Sequence, residues 1–220
     1  MTTPQALQRL LTWLSPAFPV GAFAWSAGLE TAIASGAVHD AATTRDWIDG
    51  ILHHGGPRTD AILLAHAHRA AADALALREL SDLCLALTPA KERNDETLAM
   101  GDAFVTAAQA WPSPLYANLP RPCPYPIAVG AVAAVNAVGL HDTLVAFLTA
   151  LVQSQVSVAI RLVPLGQTAG LSIVSGFEPD VLMLAAAAAE ATLADIGSIA
   201  YATDIAQMRH ETQGTRIFRS

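Results

Sequence analysis

The chain has 220 residues, 53% of them hydrophobic and only 14% charged, with a formal net charge of −7. One domain is the default at this length, and so apolar a composition excludes intrinsic disorder, which comes with too few apolar residues to bury. One lysine, Lys91, and eleven arginines in an acidic chain exclude extended nucleic-acid contact, which needs clustered cations against phosphates.

Helical periodicity runs through almost the whole chain. The spacing predicts helices over 4–14, 26–35, 43–54, 59–72, 75–87, 92–110, 127–138, 143–162 and 179–195, in an all-α single-domain bundle of about ten helices. The clearest stripe is Leu144, Leu148, Leu151, Gln155, Val158 and Leu162, which steps by four and three along one helix face. Met100, Phe104, Ala107 and Trp111 repeat the pattern, as do Leu77, Leu80, Cys84 and Leu87. Thr43 or Thr44 is a candidate N-cap, and so is Asp142. Punctuation comes from Pro16, Pro19 and Gly21, from Gly55-Gly56-Pro57, and from six prolines between Pro112 and Pro126. That last stretch reads as an extended connector. Apolar helix faces on both sides of it favour one continuous bundle over two lobes.

Two uncharged runs, 122–140 and 143–160, approach the length of a membrane span. The first is mostly Ala and Val with Pro122, Pro124, Pro126 and Asn136; the second carries Gln153, Ser154, Gln155 and Ser157. Insertion scales reward Leu, Ile and Phe, so buried core helices are expected rather than membrane spans. The N-terminal residues do not form a basic segment followed by an apolar run. Two cysteines, Cys84 and Cys123, make no disulfide framework and fit buried thiols in a reducing cytoplasm.

Most catalytic chemistry fails on motif. A P-loop needs Gly-rich sequence ending in Lys-Ser/Thr, and the only lysine precedes Glu92. No dinucleotide fingerprint follows a strand, and no Gly-x-Ser-x-Gly elbow is present. His53-His54 and the pair His66 and His68 invite a metal reading. Two ligands on one helix face want a spacing of four, whereas a spacing of two diverges, so no metal or cofactor site is expected. A nickel-binding chaperone using these four histidines stays as an alternative, as does a membrane-embedded helical protein.

Two segments look unlike generic bundle. In residues 14–30, prolines fix a bend and Gly21 permits a positive φ, while Phe18, Phe23 and Trp25 crowd the turn; it is either a buried corner or an aromatic binding surface. The C-terminal segment 204–220 carries +1 against −8 on residues 1–203, and it places Phe218 between Arg216 and Arg219. It is either a frayed terminus or a partner-binding tail, since Arg and aromatics supply binding hot spots.

At these segments the chain resembles the UreF-type urease accessory proteins. The anchors are Ser15-Pro16 through Pro19-Val20-Gly21-Ala22-Phe23 with Ser26 and Gly28-Leu29-Glu30; Glu92-Arg93 with Glu96 and Met100-Gly101; Arg161 through Gln167; and His210-Glu211-Thr212-Gln213 with Arg216 through Ser220. The likeness departs at Ala24-Trp25, where Ser-Tyr is common, at Gly214, where an aromatic is common, and at Ile217, where Leu is common. The resemblance implies an all-α, non-catalytic homodimer acting in urease maturation. It implies binding to a UreD/UreH-type accessory protein and recruitment of a UreG-type GTPase, so that nickel reaches the urease apoprotein. The expected partner-binding residues are Arg209, His210, Glu211, Gln213, Arg216, Phe218, Arg219 and Ser220 of the tail, with Glu30, Arg93, Glu96, Arg161 and Gln167 on the body. Arg216, Phe218 and Arg219 are expected to order on a partner, and Arg161 either contacts a partner or satisfies buried carbonyls.

Overall fold

A computed structural model describes residues 2–88, 90–197 and 199–220. Among them the chain is all-α, without strands, as its periodicity predicts. The helices are α1 (Pro4–Trp13), α2 (Leu29–Ala34), α3 (Ala41–His54), α4 (Gly56–Arg69), α5 (Ala74–Ala86), α6 (Lys91–Ala108), α7 (Tyr125–Val135), α8 (Leu140–Leu162), α9 (Gln167–Gly176), α10 (Glu178–Glu190) and α11 (Tyr201–His210).

Helices α4 and α7 form the centre. Residues 59–65 of α4 and 126–133 of α7 are buried on every side, the mark of core helices rather than amphipathic surface ones. They approach closely because Gly130 lies against the Leu64 carbonyl, where a Cβ would not fit. Gly101 on α6 plays the same part against the backbone of Cys123 and Pro124. The proline-rich connector therefore joins two halves of one core, with a 3₁₀ turn at Pro114–Asn118 inside it.

Local chemistry explains where the helices differ from expectation. Helix α3 is capped by Asp40, whose carboxylate accepts from the Thr43 N–H at 2.8 Å while Thr43 reciprocates, so Thr43 completes a capping box rather than forming the cap. Helix α8 starts at Leu140 behind Gly139, which places Asp142 in its first turn. Helix α2 starts three residues late because Ala27 and Gly28 have φ of 52° and 83°. The helix expected over 179–195 stops at Glu190, and a separate turn, Leu193–Asp195, is closed by hydrogen bonds between Thr192 and Asp195. Helices α9 and α11 were not expected from periodicity at all.

The α8 stripe behaves as predicted: Leu144, Leu148, Gln155 and Val158 are buried. By length and composition α8 is the one single helix among the described residues that could cross a membrane, and α9 with α10, bent by 41°, passes the same test as a pair. Half of the most apolar window of α8 is buried against the rest of the fold. The other uncharged run holds only the 11-residue α7. A second, smaller core gathers Leu29, Ala32 and Val38 with Val158, Ala159, Val163 and Phe218, and it anchors the C-terminal segment.

Candidate functional site at the docked C-terminal segment

The corner at 14–30 is shaped by backbone conformation. Gly21 (φ 73°) opens a short 3₁₀ turn, Ala22–Ala24, and Gly28 (φ 83°) sits directly before α2. A Cβ on Gly28 would come within 2.9 Å of the Gln207 backbone nitrogen, so glycine there permits both the turn and the approach of α11. Glu30 is thereby placed, buried, in the first turn of α2.

Residues 211–220 fold back from the end of α11 across this corner. The Arg219 N–H donates to the Ala24 carbonyl at 2.8 Å, and the Ser26 N–H donates to the Ser220 main-chain oxygen at 2.9 Å. The Ser26 hydroxyl donates to the same oxygen, and the Ala27 N–H donates to the Ser220 hydroxyl at 3.2 Å. Phe218 is buried in the second core beneath the Arg161 guanidinium, 5.3 Å from its ring centre, and Arg219 lies over Trp25 at 5.6 Å.

Charge fixes the segment further. Glu30 accepts from the Ile217 N–H at 2.7 Å, the Phe218 N–H at 3.0 Å and His210 Nε2 at 3.0 Å. Glu92, from the first turn of α6, lies 2.7 Å from His210 Nδ1 and 2.6 Å from Arg216. Both nitrogens of the fully buried imidazole thus face carboxylates. Burial pushes the Glu30 carboxyl up, but the His210 bond and the two backbone N–H bonds outweigh it and hold the carboxyl below its ordinary range. Gln213 accepts from the Thr31 hydroxyl at 3.0 Å, and Glu211 accepts from the Lys91 N–H at 3.1 Å.

Next to Glu92 on α6, Arg93 lies 2.5 Å from Asp60 of α4 and 3.4 Å from Glu96. Burial raises both carboxyls despite the guanidinium. Burial would lower Arg93, but Glu96 and Asp60 more than reverse that. The Ser220 hydroxyl reaches Glu96 at 3.5 Å and so joins this triad to the tail.

The structure thus brings twelve of the thirteen expected residues into or beside one assembly and divides them by exposure. His210, Phe218, Ser220, Glu30 and Glu96 are buried inside the chain, while Arg209, Glu211, Arg216, Arg219 and Arg161 are exposed. Arg161 was expected either to contact a partner or to satisfy buried carbonyls; it is exposed and donates to the Phe23 carbonyl at 3.0 Å, in an exposed bond. Gln167 is the outlier, exposed at the first position of α9. Arg216, Phe218 and Arg219 were expected to order on a partner; instead they already lie against the chain's own body, on Glu92, the second core and Trp25. Sequence reasoning missed Glu92 as the hub, although its place beside Arg93 was visible, and it missed Asp60 entirely.

The four histidines of the nickel alternative do not gather into one ligand group, although the His53 and His54 ring centres are 6.2 Å apart. His66 and His68 hydrogen-bond the Ala191 and Val138 carbonyls, at 3.1 and 2.8 Å. Among the described residues one group of potential ligands converges, Asp49, His53 and Asp180, with ligand atoms within 4.8 Å of one another.

A family model for UreF matches residues 38–178. That stretch is more than half of the chain. The chain belongs to the UreF family. Proteins named urease accessory protein UreF from Agrobacterium fabrum and Rhizobium etli (strain CIAT 652) are 50% and 48% identical to it, over 98% of this chain and 96% and 97% of theirs. One of the same name from Rhodopseudomonas palustris is 48% identical over 98% of this chain and 91% of its own. The UreF family is one of accessory proteins, not enzymes, and is involved in urease maturation.

Proposed function

We propose that this UreF-family chain assists GTP-dependent nickel insertion into apo-urease. It does so as a cytoplasmic homodimeric scaffold that binds a UreD/UreH-type protein and regulates a UreG-type GTPase. The observation that carries this reading is the docked C-terminal segment. Buried His210 and Phe218 fix its course, and the exposed Arg209, Arg216 and Arg219 are presented outward from it. A preordered basic surface gives up less conformational entropy on binding than a loose tail, and Arg is a favoured hot-spot residue. The lack of a P-loop in a chain with one lysine supports a reading in which nucleotide hydrolysis belongs to a partner.

The test is capture of the UreD/UreH-type protein by the wild-type chain and by the Arg209→Ala, Arg219→Ala double variant, followed by GTP hydrolysis and urease activation in the reconstituted mixture. Arg216 is left intact because it pairs with Glu92. The double variant is expected to keep its circular dichroism and to lose capture at least tenfold. Unchanged capture removes the tail from the interface. Truncation after Gln207 is the poorer experiment, since it also removes buried His210 and Phe218.

A further inference from the structure

Behind the Ser26-Ala27-Gly28 turn lies a cavity of about 250 Å³. It extends from the exposed Phe23, Gln153 and Ser157 to the buried Asp60, Glu96 and Met100. Two glutamines on its wall come from different helices and are held alike. Gln155 of α8 donates its Nε2 to the Ser26 carbonyl at 3.3 Å, and Gln207 of α11 donates its Nε2 to the next carbonyl, Ala27, at 3.5 Å. A carbonyl only accepts, so each amide is oriented with its nitrogen to the backbone and its oxygen away. Both side chains are more than nine-tenths buried, and neither Oε1 has a partner among the described residues. Buried acceptors of this kind are costly unless a donor reaches them.

The charges on the same wall lean the same way. Asp60, Glu96 and Asp204 supply three carboxyls against the guanidiniums of Arg93 and Arg161, with Asp60 and Glu96 both paired to Arg93. Trp13 Nε1, a third unpartnered atom on this wall, is a donor, but its ring stands edge-on to Trp111 at 5.5 Å and to Phe104 at 6.3 Å, inside an aromatic cluster. Val20, Met100, Phe147 and Leu151 give the wall its apolar part, and Thr59, Ser154, Ser157 and Thr203 add hydroxyls.

We propose that this cavity is a binding site for a small organic cation with paired N–H donors, of the guanidinium or amidinium class. The two glutamine oxygens accept its N–H groups, and the acidic surplus around Arg93 balances its charge. The volume is below that of a drug-sized pocket and suits a compact ion. None of the residues that present Arg209, Arg216 and Arg219 to a partner is required, so the site stands or falls separately from the tail's proposed role.

The experiment is calorimetric titration of the full chain with methylguanidinium, repeated with urea, which has the donors without the charge, and with tetramethylammonium, which has the charge without the donors. Saturable one-to-one binding of methylguanidinium is expected, at least tenfold tighter than either control. Gln207→Met is expected to weaken it at least tenfold, and Ser154→Phe, which fills the cavity from α8, to abolish it with the fold retained. Should Gln207→Met fail to fold, Ser154→Phe decides alone. No saturable binding would mean ordered water only and would overturn the proposal; so would binding that survives Ser154→Phe, and so would urea binding equally well.

Discussion

His210 Nε2 lies 3.0 Å from the Glu30 carboxylate across 180 residues of sequence, with the imidazole fully buried. The contact ties the end of α11 to the start of α2, and through Glu92 the same ring reaches α6. A latch of this kind makes the position of the C-terminal arginines a property of the whole fold. His210→Ala would leave two carboxylates without their shared partner. A hydrogen bond to a charged group is worth about 1.5–3 kcal/mol, so a loss in that range is expected in urea unfolding. The companion readout is trypsin cleavage after Arg209, Arg216 and Arg219, which is expected to become faster than cleavage elsewhere. Equal acceleration at all sites would mean global unfolding rather than release of the latch.

Glu30 gives the latch a pH dependence whose sign is fixed. Its folded pKa lies below the ordinary 4.5, so its stabilisation is present above that value and is lost as pH falls through the lower folded value. Glu30→Gln is expected to cost about 1.5–3 kcal/mol at pH 7, the range for hydrogen bonds to a charged group. Chemical denaturation from pH 7 down to pH 3 checks it. The gap between wild type and variant should narrow as the wild-type carboxyl protonates. A constant gap would assign the loss to packing instead.

The two glycines of the corner separate conformational strain from crowding. Both have positive φ, and a Cβ on Gly21 meets nothing within 4 Å while one on Gly28 meets the Gln207 backbone at 2.9 Å. Gly21→Ala is expected to cost about 1–2 kcal/mol, the left-handed penalty. Gly28→Ala should cost about 1–3 kcal/mol more, as overpacking does. It should also loosen α11, seen as faster amide exchange over 201–210. Equal losses would mean that α11 gives way freely.

Helical class and core were legible because α8 repeats its apolar residues by three and four, and because α7 is apolar throughout. The short helices were not. Helix α9 begins with Gln-Thr-Ala-Gly, whose intrinsic helix preference is poor, and α11 mixes Tyr201, Ile205 and Met208, all exposed, with a buried His210. Their helicity comes from packing onto α8 and α2, which periodicity does not report. Within the site, the Arg-Phe-Arg pattern drew attention to the tail but not to the direction of its side chains. Phe218 faces inward because α2 and α8 leave it a place between Leu29 and Val158. Gln155, a polar residue inside the most regular apolar stripe, was the one visible sign of the cavity, and it reads as an anomaly until the Ser26 carbonyl is seen beside it.

Cys84 and Cys123 give a reagent-based measure of the core. Burial pushes Cys123 up to about 12 and Cys84 upward as well, so neither forms appreciable thiolate at pH 8. Native protein should resist iodoacetamide at pH 8, and labelling should appear only with unfolding, in step with the denaturation curve. Rapid labelling of Cys84 in native protein would show that reagent enters from the cavity it lines.

Nickel separates the histidines. His66 and His68 are committed to backbone carbonyls on different elements, whereas His53 Nε2 faces Asp180 at 3.3 Å and Asp49 at 3.7 Å. Three mixed ligands can gather a divalent ion, but Asp49 is more than half exposed, and Asp180 sits in the first turn of α10, where the helix dipole disfavours a cation. Calorimetry with nickel is therefore expected to show binding no tighter than micromolar. Whatever binding appears should be lost in His53→Ala and kept in His66→Ala. Nanomolar binding that requires His66 or His68 would mean that the histidines assemble in another conformation, and it would restore the nickel-chaperone reading for this chain.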